Sequence, residues 1–237
     1  MIRADIAGAR VAFTTRKGGV SEGPYESLNL GILTEDDPER VSENRAILAD
    51  SADLAPERVA MGWQVHGSEL LEWEAPPNGG GFAMPGAELP RVDGHLTSLP
   101  GVGLLVLVAD CVPLALAGGG RVALLHCGWR GLAAGIVERA LERFEQPPAA
   151  AIGPAIGPCC YEVGEEVLAE FSNLEGVARG RMLDLRAVAR RQLEAAGASV
   201  EEDVDLCTSC REDLFFSHRR DHGVTGRQAG LAWIPPA

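Results

Sequence analysis

Three side chains that can bind a metal or act as nucleophiles lie at the ends of strand-like segments. His66, Cys111 and His126 close aliphatic runs at 59–65, 102–108 and 122–125. Two imidazoles and one thiolate suit zinc and also copper. Three protein ligands leave a fourth position open, which is the pattern of a catalytic zinc. Their spacings of 45 and 15 residues match no compact zinc-finger motif, so spacing alone does not identify a metal.

The same residues permit two other interpretations. Cys111 could be a nucleophile with a histidine as its base, as in metal-free cysteine hydrolases. Alternatively, both side chains could be structural, because free cysteine is often simply buried. The residues alone leave these three possibilities open.

The remaining cysteines give weaker signals. Cys207 and Cys210 form a CxxC motif, which could be half of a zinc site or a redox pair. No second CxxC completes a zinc ribbon. Cys159 and Cys160 are adjacent in sequence, and we assign them no role at this stage.

Two polar motifs are candidates for substrate contacts. Arg16 opens a glycine-rich loop at 16–21, where it could meet an anion, although a plain surface loop explains this segment equally well. His218 follows Phe215 and Phe216 and precedes a basic pair. It could stack on a purine, contact phosphate or merely end a helix.

Composition limits the classes of partner. The chain has 237 residues and a formal net charge of −13, so we expect no nucleic-acid or membrane partner, because both require a cationic surface. No signal-like segment and no apolar run of about 18 residues occurs, and we expect a cytoplasmic protein. The six cysteines are then expected as free thiols or ligands rather than disulfides.

Short strand patterns alternate irregularly with amphipathic helices. Strands are predicted at 11–14, 59–65, 70–73, 92–96, 102–108, 113–117, 122–125, 149–152, 204–206 and 229–234, and helices at 37–50, 131–144, 163–171 and 184–197. Residues 76–90, rich in glycine and proline, are predicted to form a long, lid-like loop. Neighbouring strands without helices between them favour a mixed-sheet α/β or α+β fold, in one domain spanning 1–237.

A set of motifs along nearly the whole chain resembles one known family. In order they are TRKGGVS at 15–21, LNLG at 28–31, QVHG at 64–67, ADCVP at 109–113, HCGWRG at 126–131, GPAIG at 153–157, YEVG at 161–164, FSHR at 216–219 and TGR at 225–227. The chain is similar to the YfiH-like laccase-domain family, also called the multicopper polyphenol oxidase family. Its members are described as purine nucleoside phosphorylases with adenosine deaminase activity, and an older assignment is copper-dependent polyphenol oxidation.

The resemblance implies an α/β fold like that of cysteine hydrolases, with a nucleoside pocket beside a zinc site. It places the metal on His66, Cys111 and His126. The family usually has alanine where this chain has Cys127, and we expect the thiol to pack as alanine would.

For phosphorolysis, the resemblance implies one set of residues that contact phosphate and a second set that contact the substrate. Arg16 and Arg130, with the amides near Gly131, are the phosphate candidates; Asn29, Gln64 and His218 are further substrate-binding candidates. Deamination of adenosine by a zinc-activated water needs a proton shuttle, and Asp93 and Asp110 are both candidates beside Cys111.

Two alternative functions follow from the same motifs. A copper polyphenol oxidase would need many histidines to hold several coppers, whereas the chain has five. A metal-free cysteine hydrolase would use Cys111 as its nucleophile.

Overall fold

Two β-sheets that pack face to face form the centre of the fold, seen in a computed structural model that describes residues 1–77, 81–83 and 87–236. The strands are β1 (Ile2–Ile6), β2 (Ala9–Phe13), β3 (Val59–Ala60), β4 (Leu70–Trp73), β5 (Gly94–Thr97), β6 (Gly103–Val108), β7 (Val112–Gly118), β8 (Arg121–Cys127), β9 (Ala149–Ile152), β10 (Ala178–Arg179), β11 (Met182–Leu183), β12 (Ser199–Asp203) and β13 (Gln228–Trp233). One sheet has the order β1-β2-β13-β6-β3, and the other has the order β12-β9-β7-β8-β5-β4. Both sheets mix parallel and antiparallel pairs.

Helices cover the outer face of each sheet. They are α1 (Pro38–Ser51), α2 (Trp129–Ala133), α3 (Ile136–Leu141), α4 (Glu165–Glu170) and α5 (Leu185–Ala195), with 3-10 turns at Gly23–Tyr25 and Pro56–Arg58. Among the helices of the described ranges, none combines the length and the apolar composition that a bilayer crossing requires.

The alternation of side chains along each strand separates three apolar clusters. On β6, Leu104 and Val106 point between the sheets, whereas Leu105 points to the cluster that contains Leu48 of α1. On β8, Leu124 faces the other sheet and Leu125 faces the cluster formed with α2, α3 and α5. The layers therefore run helix, sheet, sheet, helix, and the predicted mixed α/β fold with flanking helices is confirmed.

Helix boundaries follow local capping chemistry. The carboxylate of Asp37 accepts a hydrogen bond from the Glu39 amide and starts α1, and Asp184 accepts from Arg186 and Ala187 to start α5. The predicted helix over 131–144 is wrong as one unit. Gly135 adopts φ +79° and divides the segment into α2 and α3, because a left-handed residue interrupts the helical hydrogen bonds.

Two strand predictions were wrong in extent. The run 59–65 is a strand only at Val59–Ala60, because the side-chain amide of Gln64 then donates to the Leu107 carbonyl and accepts from the Leu107 amide, both at 2.7 Å. The side chain thereby takes the hydrogen bonds that a continuing strand would make. The strand predicted at 204–206 lies instead at Ser199–Asp203, alongside β9.

The strand predicted at 70–73 is present as β4, which pairs in parallel with β5. The predicted loop at 76–90 contains no helix or strand in its described positions, with a turn at 81–83. Residues 78–80 and 84–86 of this loop lie outside the described residues. The lid-like character of the loop therefore stays a prediction.

One histidine inside the fold makes stability depend on pH. His95 of β5 is fully buried, and its Nδ1 accepts a hydrogen bond from Trp73 Nε1 at 3.2 Å. Burial lowers the pKa of His95 to about 4, and the nearby Asp93 opposes this shift only in part. The unfolded chain, in which histidine titrates near pH 6.5, therefore takes up a proton first as the pH falls. The stability from neutral His95 is complete above about pH 6.5 and is lost as the pH falls toward about 4.

We predict that lowering the pH from 7 to 5 destabilises the protein through His95 by about 2 kcal/mol. Urea unfolding of the wild type and of His95→Gln at both pH values measures this, because glutamine can accept the Trp73 hydrogen bond but does not titrate. The variant should lose about 2 kcal/mol less than the wild type over this interval. Equal losses would show that His95 is not the responsible group.

Candidate metal centre and substrate cavity

His66, Cys111 and His126 converge although they are far apart in sequence. A ring nitrogen of each histidine and the Sγ atom of Cys111 lie within 4.8 Å of one another. The two imidazole centroids are 4.8 Å apart, with the ring planes inclined at 73°. The structure thus brings together the three residues that the sequence predicted as ligands.

Tight backbone turns deliver two of these side chains. His66, in the loop after β3, has φ +59°, and Asp110, which precedes Cys111 between β6 and β7, has φ +95°. Non-glycine residues rarely adopt positive φ, and such strain is concentrated at functional sites. His126 lies near the end of β8 on regular strand backbone, which gives the cluster one rigid member.

Asp93 connects the cluster to its surroundings. Its fully buried carboxylate accepts hydrogen bonds from the amides of Val65, His66 and Gly67 at 2.8 to 3.0 Å. Its Oδ1 atom is also 2.8 Å from His126 Nδ1. This contact leaves Nε2 as the donor for the cluster, as in the carboxylate–histidine pairs that orient metal ligands.

The electrostatics of the cluster favour a thiolate. Burial by itself would raise the pKa of Cys111, but the adjacent His126 and His66 imidazoles outweigh burial and lower the pKa to about 6. Burial would likewise lower the pKa of His126, yet the Cys111 thiolate and Asp93 raise it to about 9. A thiolate beside two imidazoles is a donor set that binds zinc, and it is also an activated nucleophile.

Gly128 keeps space open beside the cluster. A Cβ atom at this position would lie 2.9 Å from His66 Cδ2 and 3.1 Å from Cys111 Sγ. Such contacts would displace the ligand side chains. The three donor atoms, together with the space that Gly128 leaves beside them, fit a metal ion coordinated by the three residues.

A cavity of about 490 Å³ opens onto the cluster. This volume is in the range of small-molecule sites. Its lining includes all three cluster residues and, among others, Leu33, Trp63, Gln64, Asp110, Trp129, Arg130, Ile156, Tyr161, His218, Arg219 and Arg227. The cavity therefore combines possible metal ligands, aromatic surfaces and guanidinium groups.

Four arginines line this cavity, and the buried Arg45 among them donates to the carbonyls of Leu30 and Gly81. Arg130 is exposed and lies 4.3 Å over the Trp129 ring, and Arg219 lies 4.9 Å over the Tyr161 ring. Arg227 is anchored by hydrogen bonds from Nη1 to the carbonyls of Thr225 and Gly226. Burial lowers the pKa of Arg227, and the charges of Cys111 and Asp110 oppose that shift.

The other predicted substrate residues occupy different environments. Arg130, Gln64, Asp110 and His218 line the cavity, whereas Arg16 lines a separate concavity of about 550 Å³ and donates to the carbonyls of Glu26 and Glu212. Arg16 is therefore not brought together with Arg130.

Asn29 is fully buried and outside the cavity lining. Its amide nitrogen donates to Thr34 and Asp36, and its oxygen accepts from the amides of Gly31 and Arg227. These contacts give Asn29 a structural role, holding the loop beside Arg227 in place. Gln64 lines the cavity, but both ends of its side-chain amide are engaged by Leu107.

The two candidate carboxylates also differ in placement. Asp110 lines the cavity and accepts from the Thr208 hydroxyl and the Arg219 amide, both at 2.7 Å. Asp93 is not part of the lining and is fully buried among its amide donors.

Sequence reasoning assigned no individual role to Tyr161, Arg219 or Arg227. Each lies within a motif that carried the family resemblance, and that motif membership was the available signal. Their convergence depends on long-range packing between segments that single-sequence periodicity does not reveal.

Comparisons with known proteins agree along almost the entire chain. A sequence model described as multi-copper polyphenol oxidoreductase laccase matches residues 10–235. A Geobacillus stearothermophilus protein named purine nucleoside phosphorylase YlmD is 39% identical, with 97% of this chain and 90% of the relative covered. The Escherichia coli K12 protein named purine nucleoside phosphorylase YfiH is 36% identical over 96% of this chain and 94% of its own length. The crystal structure of the Geobacillus protein superposes with a TM-score of 0.90 at 38% identity, covering 98% of this chain and 93% of the other.

We predict that Asp93→Asn weakens metal binding at the cluster by roughly the ten- to hundredfold seen for lost outer-shell partners. Asparagine would remove the charge that favours His126 as ligand and would direct amide hydrogens toward backbone donors. Competition with a chromophoric chelator measures the affinity. Asp53→Asn, at an exposed residue with φ +55°, is the matched control and should bind metal like the wild type. Unchanged affinity in Asp93→Asn would refute the orienting role.

Gly128→Ala should also weaken metal binding, by about tenfold or more, because its Cβ displaces ligand side chains. Gly118→Ala is the appropriate comparison, since its Cβ meets nothing closer than the Pro148 Cα at 3.4 Å. Isothermal titration with zinc gives both affinities. If the two alanine variants bind equally well, the cradle at Gly128 has no part in metal binding.

Proposed function

Because the chain belongs to the multi-copper polyphenol oxidoreductase laccase family, and because its named relatives are purine nucleoside phosphorylases, we propose that it is a zinc-dependent purine nucleoside phosphorylase that also deaminates adenosine. The proposed reaction joins inorganic phosphate to the anomeric carbon of the nucleoside and releases the purine base. The whole chain, 1–237, would act as a single catalytic domain.

One observation carries this proposal. The cluster of His66, Cys111 and His126 lines the same cavity as four arginines. Phosphorolysis requires an anion site, a surface for a purine and a polar centre beside the reacting carbon. The arginines, the aromatic side chains and the His66, Cys111 and His126 cluster of this one cavity support these three assignments, and its volume is sufficient for a nucleoside.

The phosphate is assigned to the arginines of the cavity. The guanidinium of Arg130 lies against Trp129, without a carboxylate partner among the described residues, and Arg219 and Arg227 flank the same space. Planar guanidinium groups bind phosphate oxygens through paired hydrogen bonds. Arg16 lines the other concavity, away from the metal-ligand cluster. We therefore propose Arg130 as the principal phosphate-binding residue.

The purine is assigned to the aromatic part of the lining. Trp63, Trp129 and Tyr161 offer ring faces on which a base can stack. His218 is exposed at the same cavity and is a further contact for the base or the phosphate. Burial raises the pKa of Tyr161 to about 12, so its hydroxyl stays protonated and can donate a hydrogen bond.

The two carboxylates take different roles in this proposal. Asp110 faces the cavity and is proposed to move the proton during deamination. Asp93 is proposed to act as a positioning residue, because its oxygens are occupied by His126 and by the 65–67 amides. A zinc ion held by the cluster would supply a Lewis acid with an open position.

Copper-dependent phenol oxidation is the function named by the family description. It receives less support from this chain. Of the five histidines, His95 is fully buried against Trp73, and only His66 and His126 belong to the three-residue cluster. A multicopper centre needs more imidazoles than this arrangement offers. Oxygen uptake with a phenol after copper loading would revive this function.

A metal-free cysteine hydrolase is the second alternative, favoured by the lowered pKa of Cys111 beside His126. Chelation and alkylation separate it from the proposal. Full activity in chelator, together with loss of activity on alkylation of Cys111, would establish the hydrolase. Loss of activity in chelator with recovery on adding zinc supports the proposed phosphorylase.

The direct test is product analysis on adenosine with metal-analysed protein. With phosphate, we expect adenine and ribose 1-phosphate; without phosphate, we expect inosine from deamination alone. Cys111→Ala is the matched inactive control. Neither product above that control would overturn the proposal, whereas adenine without inosine would restrict it to phosphorolysis.

We predict that Arg130→Gln raises the KM for phosphate by about tenfold or more, since a charged hydrogen bond contributes about 1.5–3 kcal/mol. Deamination of adenosine should change much less, because it does not use phosphate. Arg143→Gln, at an exposed arginine on the far end of the α3 segment, is the control and should leave KM unchanged. A larger KM change for Arg16→Gln than for Arg130→Gln would move the phosphate site to the other concavity.

A further inference from the structure

We propose that Cys159, Cys160, Cys207 and Cys210 form a second metal site, a structural zinc centre separate from the cavity. The proposal rests on the convergence of four thiols and does not depend on the nucleoside activity. The sequence suggested Cys207 and Cys210 as half of a zinc site but did not identify the other half, because the adjacent pair at 159 and 160 does not resemble half of a zinc ribbon.

The four sulfur atoms have the spacing of a tetrathiolate site. All lie within 4.8 Å of one another, with Cys210 Sγ at 3.5 Å from Cys159 Sγ and 3.4 Å from Cys160 Sγ. A tetrahedral zinc with bonds of about 2.3 Å places its sulfurs about 3.8 Å apart. The two Cys210 contacts are slightly shorter than this spacing, and no sulfur pair exceeds it by more than about 1 Å, so small side-chain shifts would complete the coordination.

The arrangement favours a metal over disulfides. Cys210 is nearly equidistant from Cys159 and Cys160, so no single partner is selected for it. All the cysteines of the chain are free thiols in the structure. Four sulfurs around one point are the donor set of structural zinc, whereas a redox pair needs only two.

The surrounding backbone is shaped for the cluster. The Gly157 amide donates to Cys207 Sγ at 3.2 Å, a contact that stabilises a thiolate. A Cβ at Gly157 would approach Cys159 Sγ and Cys207 Cβ, each at 3.3 Å. Glycine at 157 therefore lets the two cysteine-bearing turns approach each other closely.

The proposed metal would fasten two segments that adjoin Tyr161 and Asp110, two residues of the cavity lining. The turn at 158–160 precedes Tyr161, and the turn at 207–210 contains Thr208, whose hydroxyl donates to Asp110. Between these segments the Thr208 amide donates to the Ala155 carbonyl at 3.0 Å. Binding of one zinc ion would release the four thiol protons to solvent. By holding the two turns together, the zinc would indirectly fix the positions of Asp110 and Tyr161.

The first test measures thiol reactivity in the folded wild-type protein, purified with zinc and then split into chelated and untreated samples. Cys159 and Cys210 are exposed, so as free thiols they would be accessible to iodoacetamide during a long incubation. We expect mass spectrometry to show all four cysteines protected before chelation and alkylated after it. Equal alkylation in both samples overturns the proposal. Protection that survives chelation but is lost on reduction also overturns it, in favour of disulfides.

The second test counts zinc in matched variants by elemental analysis. We expect about two zinc ions per chain in the wild type and in Cys127→Ala, a buried cysteine outside both clusters, and about one in Cys210→Ser and in Cys111→Ala. Cobalt-loaded Cys111→Ala should show the absorption of tetrahedral cobalt thiolate. Wild-type zinc content in Cys210→Ser, or no zinc in Cys111→Ala, contradicts the second site. Lack of phosphorylase activity with two zinc ions bound would refute only the proposed function.

Discussion

The buried carboxylate of Asp93 is the interaction on which the rest of the site depends. It accepts three amide hydrogen bonds from residues 65–67 and contacts His126 Nδ1, so it fixes a strained loop and a strand-borne imidazole in one arrangement. Each hydrogen bond to a charged group contributes about 1.5–3 kcal/mol, enough together to hold His66 at positive φ. Burial alone would raise the pKa of Asp93, but the hydrogen bonds from His126 and the backbone amides lower it. The buried carboxylate therefore stays ionised.

The two-sheet architecture explains why chemistry is located at this edge of the fold. Strand β8 carries His126, the strained turn after β6 carries Cys111, and the loop after the short β3 carries His66. The side-chain amide of Gln64 makes the hydrogen bonds to Leu107 that a longer β3 would make. The result is a cluster with one candidate metal ligand on a rigid strand and two on strained turns, and this cluster forms part of a cavity also lined by arginines.

Much of this arrangement could be predicted from local sequence, and the remainder depends on distant contacts. The aliphatic runs before Cys111 and His126 predicted their strands, and the caps at Asp37 and Asp184 predicted two helices, because these signals are local. The break at Gly135 was missed, since an isolated glycine is tolerated in many helices. Packing between distant segments decides which arginines share a cavity and which cysteines meet. Cys160 and Cys210, for example, are 50 residues apart in sequence.

We propose that one cavity holds a metal on His66, Cys111 and His126 next to bound nucleoside and phosphate. A crystal structure of zinc-loaded protein with inosine and sulfate as a phosphate mimic, recorded at the zinc absorption edge, tests it most directly. We predict an anomalous peak among the three side chains, with the purine against the aromatic lining and the anion at Arg130. The absence of an anomalous peak at this three-residue cluster, or a nucleoside bound in the concavity of Arg16 instead, would contradict this prediction.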